Sequence, residues 1–254
     1  LIGAAEHRLL ARQAVRESLV LLKNNNAILP IKRGRILIGG DGADNIAKQS
    51  GGWTLTWQGT KNEPTDFPGA TSLYTGLKQA IENIGGSVEL TQTDQWRRKP
   101  DLAVVIFGED PYAESAGDLS NLAFQERVKS NTALLAKLRA ANIPVVSVFL
   151  TGRPLLVNAL LNQSEAFVVA WLPGSEGGGL ADVLVANRAG KPRFDFKGRL
   201  SFNWPKVAVN QYQVDLPVSS YLFKRGYGLN YTSQNENLPS NLTELVRDKS
   251  VSMP

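Results

Sequence analysis

Residues 101–122 read DLAVVIFGEDPYAESAGDLSNL, an apolar run that ends in Gly and is followed by a loop with four acids. An uninterrupted apolar run of this kind is typical of a central strand in a parallel sheet, which is buried on both faces. Ligands of open α/β sheets bind at the carboxyl ends of such strands. The four acids are therefore predicted to lie at the edge of the sheet where function is found. They are Glu109, Asp110, Glu114 and Asp118.

The rest of the chain alternates strand and helix patterns. Apolar runs predict further strands at 35–40, 87–92, 144–150 and 166–173. Helical spacing predicts helices at 6–23, 72–84 and 121–141, a short helix after Pro154, and a helix that opens at the glycines of 177–179. This alternation predicts an α/β fold, with a mostly parallel sheet of about six strands sandwiched between helices.

The carboxyl-terminal part has a different composition. Residues 190–231 hold Gly, Pro and aromatic residues in short extended pieces, which predict irregular structure packed on the sheet edge. We therefore expect one α/β domain over 1–230 and a polar C-terminal arm over 231–254.

Composition excludes several kinds of site. The chain has no Cys and one His, so disulfides and thiolate metal sites are excluded, and a Ser-His-Asp triad is not expected. The one histidine, His7, lies in a helical pattern and is predicted to be a surface residue. We expect neither a metal nor a cofactor.

The chain carries a net charge of +5, but its basic residues are scattered. No stripe of Arg and Lys interleaves with aromatic residues, so we do not expect a nucleic-acid partner. No apolar run has the length of a membrane span, so we do not expect a membrane partner either.

Few reactions use carboxylates without His, Cys or metal, and glycoside cleavage is prominent among them. That reaction needs one carboxyl that is protonated when it meets the glycosidic oxygen, so we expect a pKa raised by desolvation and nearby negative charge. Spacing alone leaves four candidates open. Glu109, at the strand end, is expected to bond the backbone or a neighbouring base, and Asp118 to cap a turn or the following helix.

Two further loops carry recognisable patterns. Residues 51–59, GGWTLTWQG, hold two indoles four residues apart, which could stack on a sugar ring or serve in packing. Residues 39–45, GGDGADN, follow a strand but lack the third glycine of a dinucleotide-binding turn. We expect that loop to be a glycine turn that passes close to a neighbouring strand.

The acidic loop, GEDPYAESAGDLSNL, resembles the segment that holds the general acid/base glutamate in family 3 glycoside hydrolases. The second domain of that family is similar to this chain in further segments, in order, from near residue 6 to near residue 230. These are GGWTLTWQG (51–59), TGRPLLV (151–157), AWLPGSEGGGLADVL (170–184), GRLSFNWP (198–205) and FKRGYG (223–228).

The resemblance implies roles for individual residues. Glu114, in PYAE, matches the acid/base, and Trp57 matches the indole that lines the subsite for the leaving sugar. Trp53 is then expected to be structural, as are Glu176 and the buried ion pair of Arg153. At position 50, before the two glycines, this chain has Ser, whereas a familiar member of the family has Cys.

The resemblance also implies a retaining β-glucosidase or exo-β-glucanase that releases glucose from the non-reducing end of β-glucans or β-gluco-oligosaccharides. Its nucleophile, an Asp, would come from a preceding (β/α)8 barrel domain whose motifs this chain lacks. A periplasmic or extracellular location is expected. The alternatives are a non-catalytic carbohydrate-binding accessory module and, disfavoured by the incomplete glycine pattern, a nucleotide-binding domain.

Overall fold

A six-stranded sheet organises the chain. In the computed structural model, which describes residues 3–124, 130–208, 218–233, 238–239, 241–243 and 245–246, its strands lie in the order β1-β6-β5-β4-β2-β3. They are β1 Val20–Asn24, β2 Arg35–Gly39, β3 Ser87–Leu90, β4 Leu102–Gly108, β5 Val145–Leu150 and β6 Ala166–Trp171. Strand β1 pairs antiparallel with β6, and every other pair in this sheet is parallel. The predicted fold class is confirmed.

Helices cover both faces of this sheet. They are α1 Ala5–Ser18, α2 Ile46–Ser50, α3 Leu73–Asn83, α4 Ser130–Ala140, α5 Asn158–Asn162 and α6 Gly177–Leu184, with short 3₁₀ turns at Asn25–Ala27, Pro64–Asp66 and Val218–Ser220. Alternate side chains of β4 enter two separate cores, as the two-residue period of a strand requires. Val104 and Ile106 pack with α1, α3 and α6, whereas Val105 and Phe107 pack with α4 and α5.

The prediction of a helix over 6–23 is wrong at its end. Helix α1 stops at Ser18, and the next residues form β1, in which every position is buried. Val20 and Leu22 enter one core and Leu21 enters the other. Burial on both faces requires a strand between two layers, which the apolar spacing of this segment did not distinguish from a helix.

Two smaller differences concern the connections. Residues 121–124 are not helical, and Ala123 instead forms a bridge with Leu156. Residues 125–129 of the helix predicted over 121–141 lie outside the described residues, and α4 covers its second half. Helix α2 lies inside a segment expected to be loop, where Asn45 caps its first turn by accepting from Lys48 N.

The segment after α6 packs at the β1 edge, as predicted. Leu229 forms an antiparallel bridge with Leu21, and Trp204 and Phe223 are buried in the core on the α4 side. Two short strand pairs lie here, β7 Trp204–Pro205 with β9 Tyr221–Phe223, and β8 Val207–Ala208 with β10 Leu245–Val246. Most of the arm predicted at 231–254 lies outside the described residues.

A buried carboxylate joins α1 to α6. Asp182 pairs with Arg12 at 2.6 Å, Arg16 at 3.1 Å and Arg193 at 3.3 Å. Burial alone would raise the pKa of Asp182, but the hydrogen bonds and charges of these arginines lower it. The glycines that open α6 serve packing here, because a Cβ on Gly179 would lie 2.8 Å from the Arg12 carbonyl oxygen.

Candidate active site

The carboxyl ends of β2 and β4 form a crevice. Strand β2 lies between β3 and β4 in the sheet. The chain passes from β2 to β3 on one side and then crosses back to β4 on the other, so the direction of winding reverses between β2 and β4. Such a switch point opens a crevice between the loops that leave the two strands. The loop after β2 begins at Gly40, and the loop after β4 begins at Glu109.

Lys48 lies in this crevice and ties the two loops together. Its ammonium is 2.7 Å from Asp41 Oδ2 and 3.1 Å from Asp110 Oδ1, and it donates to the Gly108 carbonyl oxygen at 3.0 Å. The residue is 3% exposed. A buried ammonium with acceptors from both loops fixes the distance between them.

The glycines of residues 39–45 have the predicted packing role. Gly40 has φ +96°, and a Cβ there would overlap the backbone of Ile106 in β4. The helix that follows, α2, has five residues and starts at the Asn45 cap. These observations support the close-packed turn and give no support to a dinucleotide site.

Residues 51–59, which carry the two tryptophans, pack against the acidic loop. Gly52 packs against the backbone of Tyr112 so closely that a Cβ would overlap its carbonyl oxygen. Trp53 and Leu55 adopt left-handed φ values of +57° and +62°, which are strained for residues with a Cβ. Trp53 N donates to Trp57 O at 2.8 Å, which closes the turn and brings its two indoles to the same side.

Both indoles bind Glu114. The Nε1 of Trp57 donates to Glu114 Oε2 at 2.8 Å, and that of Trp53 donates to the same oxygen at 3.1 Å. Their rings lie 6.5 Å apart at 52° and are 52% and 70% exposed for Trp57 and Trp53. Trp53 is therefore exposed and bound to the carboxylate, and its expected structural role stays a prediction.

Gln58 holds the backbone around this glutamate. Its side-chain nitrogen donates to the Glu114 carbonyl oxygen at 2.9 Å, and its side-chain oxygen accepts from Ala113 N at 2.7 Å. One amide thus satisfies two backbone groups of an irregular loop. The sequence analysis missed Gln58, although its position directly after Trp57 was a usable signal.

The pKa of the Glu114 carboxyl is lowered in this chain. The Trp57 hydrogen bond is the main cause, and the residue's own backbone N–H and Trp53 act in the same direction against a small effect of burial. These donors favour the charged form of an exposed carboxyl. The expectation of a raised pKa is therefore wrong for the chain as described.

Glu109 and Arg153 form the expected ion pair. Glu109 Oε1 lies 2.8 Å from Arg153 Nη2 and accepts from Nε at 2.9 Å, while Oε2 accepts from Thr151 Oγ1 at 2.7 Å. The guanidinium also lies 4.1 Å from the centre of the Tyr112 ring. Burial, with a further contribution from the Glu109 charge, raises the pKa of Tyr112 to about 12.

The remaining candidates lie away from the two indoles or on the surface. Asp118 is exposed, and its backbone N–H closes a turn with Ser115 O at 3.2 Å. Residues 119–124 are not helical, so Asp118 does not cap a following helix, and the alternative that it caps a turn stays a prediction. Glu176 pairs with Arg8 at 2.8 Å, and its structural role stays a prediction; His7 is exposed on α1 as predicted.

Two features are absent from the described residues. No helix in that part of the chain is both long and apolar enough to cross a membrane. The same part of the chain contains no group of three or more His, Cys, Asp or Glu residues arranged to hold a metal ion.

The comparison with known families now adds to this geometry. The model of the glycosyl hydrolase family 3 C-terminal domain matches residues 19–231. This chain belongs to that family. The match includes both loops of the crevice and confirms the resemblance inferred from the sequence.

Individual relatives of this family 3 domain carry glycosidase names. The lysosomal beta glucosidase of Dictyostelium discoideum is 33% identical over 92% of this chain and 31% of its own length. The periplasmic beta-glucosidase of Salmonella typhimurium is 29% identical over 89% of this chain and 35% of its own length.

A solved structure is more similar still. The exo-1,3/1,4-beta-glucanase of a Pseudoalteromonas species has 54% identity and a TM-score of 0.88, over 94% of this chain and 30% of that one. The chain therefore spans about a third of the length of the proteins it matches.

The hydrogen bonds at Glu114 allow a direct test of this site. Replacing Trp57 by Phe removes the strongest donor, so the pKa of Glu114 should rise toward its ordinary value. Trp53→Phe should have a smaller effect in the same direction. The pKa can be followed by carbon-detected NMR titration of the side-chain carboxyl.

The matched control is Trp96→Phe, which removes an indole that makes a cation–π contact with Lys137 and has no contact with Glu114. An unchanged Glu114 pKa in Trp57→Phe would show that the indole does not donate to this carboxylate in solution.

Proposed function

We propose that this chain is the α/β domain of a retaining β-glucosidase or exo-β-glucanase, in which Glu114 is the general acid/base. The proposal depends on one observation above all: an exposed carboxylate at the switch-point crevice binds two exposed indoles through a single oxygen. The names of its family 3 relatives support the same activity.

Glu114 would act in both steps of the reaction. In the first, its carboxyl protonates the glycosidic oxygen as a nucleophilic carboxylate attacks the sugar; in the second, its carboxylate deprotonates the water that releases the product. Because both indoles bind Oε2, the proton would be transferred through Oε1. An indole N–H donates only, so the two tryptophans orient the carboxyl without competing for its proton.

The nucleophile would come from a (β/α)8 barrel domain that precedes this one. In retaining enzymes the two carboxyl groups lie about 5–5.5 Å apart. A nucleophilic carboxylate at that distance, with water excluded by substrate, would oppose the effect of the indoles and raise the pKa of Glu114. The lowered pKa of Glu114 would then apply to this chain in the absence of the nucleophilic carboxylate.

Trp57 would form the platform for the leaving sugar. Its indole is half-exposed beside the acid, and an aromatic face binds the apolar face of a pyranose. Trp53 lies at the same carboxylate and would widen this platform. The substrate would be a β-glucan or β-gluco-oligosaccharide that loses glucose from its non-reducing end.

We infer a periplasmic or extracellular location for the enzyme. Relatives named as periplasmic and lysosomal support a location outside the cytoplasm.

A non-catalytic carbohydrate-binding module remains the second candidate. The observation that favours it is the exposure of Trp53, Leu55 and Trp57 on one loop, which would also suit a sugar-binding surface. Such a module would bind sugar without catalysing its cleavage. A glycosidase activity that depends on Glu114 would therefore distinguish the first function from this one.

The leaving-group dependence of Glu114→Ala tests the acid/base role. In the full-length enzyme this variant should lose most of its activity on a disaccharide, because a departing sugar needs a proton. It should keep glycosylation by a dinitrophenyl glucoside, whose leaving group needs none. A glycosyl-enzyme should accumulate, and azide should restore turnover with a β-glucosyl azide as product.

Asp118→Ala serves as the matched control in the acidic loop. If Glu114→Ala impairs both substrates equally and azide has no effect, Glu114 is not the acid/base. An α-configured azide product would instead indicate that the variant has lost a nucleophile.

The platform role of Trp57 is tested by substrate length. In the full-length enzyme Trp57→Ala should raise KM for an oligosaccharide more than for an aryl glucoside. The loss of stacking should amount to roughly 1–3 kcal/mol, as at other aromatic platforms. Equal effects on both substrates, measured by steady-state kinetics, would assign Trp57 a structural role.

A further inference from the structure

Arg153 contacts the acidic loop on both sides of Glu114. Its Nε and Nη2 bind Glu109 at the start of the loop, and its Nη1 donates to the Gly117 carbonyl oxygen at 2.6 Å, after the glutamate. Between these points the guanidinium packs on the Tyr112 ring. One side chain from the loop after β5 thus spans the loop after β4.

The loop has few means of fixing its own orientation. Its internal backbone hydrogen bonds join Gly117 N to Ala113 O at 2.8 Å, Ala116 N to Glu114 O at 3.0 Å and Asp118 N to Ser115 O at 3.2 Å. These bonds close a turn around Glu114, and Gln58 joins that turn to residues 51–59, but none of these contacts attaches it to the loop after β5. Ser115 has φ +73°, so the turn also contains a strained residue that needs external support.

Two cations attach the base of the loop in different directions. Arg153 binds Glu109, and Lys48 binds the next residue, Asp110, within the crevice. Successive side chains of an extended chain point to opposite sides, so the two pairs restrain rotation of the strand end. The Arg153 side continues past the base, to Tyr112 and Gly117.

We propose that Arg153 is a positioning residue for Glu114, an inference that rests on the acid/base role proposed above. The guanidinium orients the turn so that the glutamate meets the glycosidic oxygen. Its planar fork makes several contacts at once, and a lysine would keep the charge but not this set of contacts. The Arg153 and Glu109 side chains are 19% and 13% exposed, so the pair is shielded from water and salt.

Loss of Arg153 should slow mainly those steps in which Glu114 transfers a proton. A displacement of about 1 Å in a catalytic group can reduce a rate about 100-fold. Loss of Arg153 should therefore slow reactions in which the leaving group needs the proton of Glu114. Reactions with a good leaving group should be affected much less.

The experiment uses the full-length enzyme with Arg153→Met and Arg153→Lys, each in the parent and in the Glu114→Ala background. In the parent, Arg153→Met should reduce kcat/KM on a disaccharide by about 100-fold. The kcat/KM on a dinitrophenyl glucoside, which reports the glycosylation step, should fall by no more than about threefold, because that leaving group needs no proton. Arg153→Lys should lie between Arg153→Met and the parent.

The Glu114→Ala background separates positioning from a general structural role. If Arg153 acts through Glu114, adding Arg153→Met should cause little further loss on either substrate, since effects within one catalytic unit are not additive. Arg12→Met is the matched control: it breaks another arginine–carboxylate pair, with Asp182, outside the acidic loop. It should show no dependence on the leaving group.

Equal losses on both substrates, or additive losses in the Glu114→Ala background, would overturn the proposal. If Arg153→Met does not fold, Arg153→Lys decides by the same comparison, provided its melting temperature matches that of the parent. Failure of the acid/base role itself would appear separately, as an absence of leaving-group dependence in Glu114→Ala alone.

Discussion

Two adjacent carboxylates at the end of β4 are held by cations from different parts of the chain, and the site depends on this arrangement. Glu109 is bound by Arg153 from the loop after β5, and Asp110 by Lys48 from α2, the helix that follows β2. The three parallel strands that meet at the switch point are thereby joined at their carboxyl ends. Breaking the shielded Arg153–Glu109 pair by removing one member would leave a partly buried charge without its ionic partner, which is more costly than replacing the pair altogether.

The chain presents its proposed acid in an unusual electrostatic state. Glu114 is exposed and binds two indole N–H groups, which stabilise its charged form and lower its pKa. A general acid needs the opposite. We interpret this arrangement as half of a site, in which the chain supplies orientation and a second carboxylate supplies the charge that raises the pKa.

The fold was largely predictable because its strands are strongly apolar. Strands β2, β4, β5 and β6 are short apolar runs between turn signals, and their burial on both faces follows from the helices that alternate with them. The edge strand β3 is only partly buried. Strand β1 was not predictable from spacing, since the run around Val20 continues the helical pattern of α1. Its burial between two layers becomes visible only when β6 provides a partner.

The site was predictable where a local motif carried the signal. Glu114 and Trp57 came from the resemblance, and the pairing of Glu109 came from its position at a strand end. Lys48 was not predictable, because it bonds to Gly108 across 60 residues and no local pattern marks it. Trp53 was expected to be structural, and its exposure beside the carboxylate follows from the strained turn, which no local pattern marks.

The central claim is that this chain supplies the acid/base and that another domain supplies the nucleophile. The most direct test treats the full-length enzyme with an activated glucoside that carries fluorine beside the anomeric carbon, which slows release of the covalent sugar. Peptide mass spectrometry then locates the glycosyl ester. The account predicts an ester on an aspartate outside residues 1–254; an ester on Glu109, Asp118 or any other acid of this chain would contradict it.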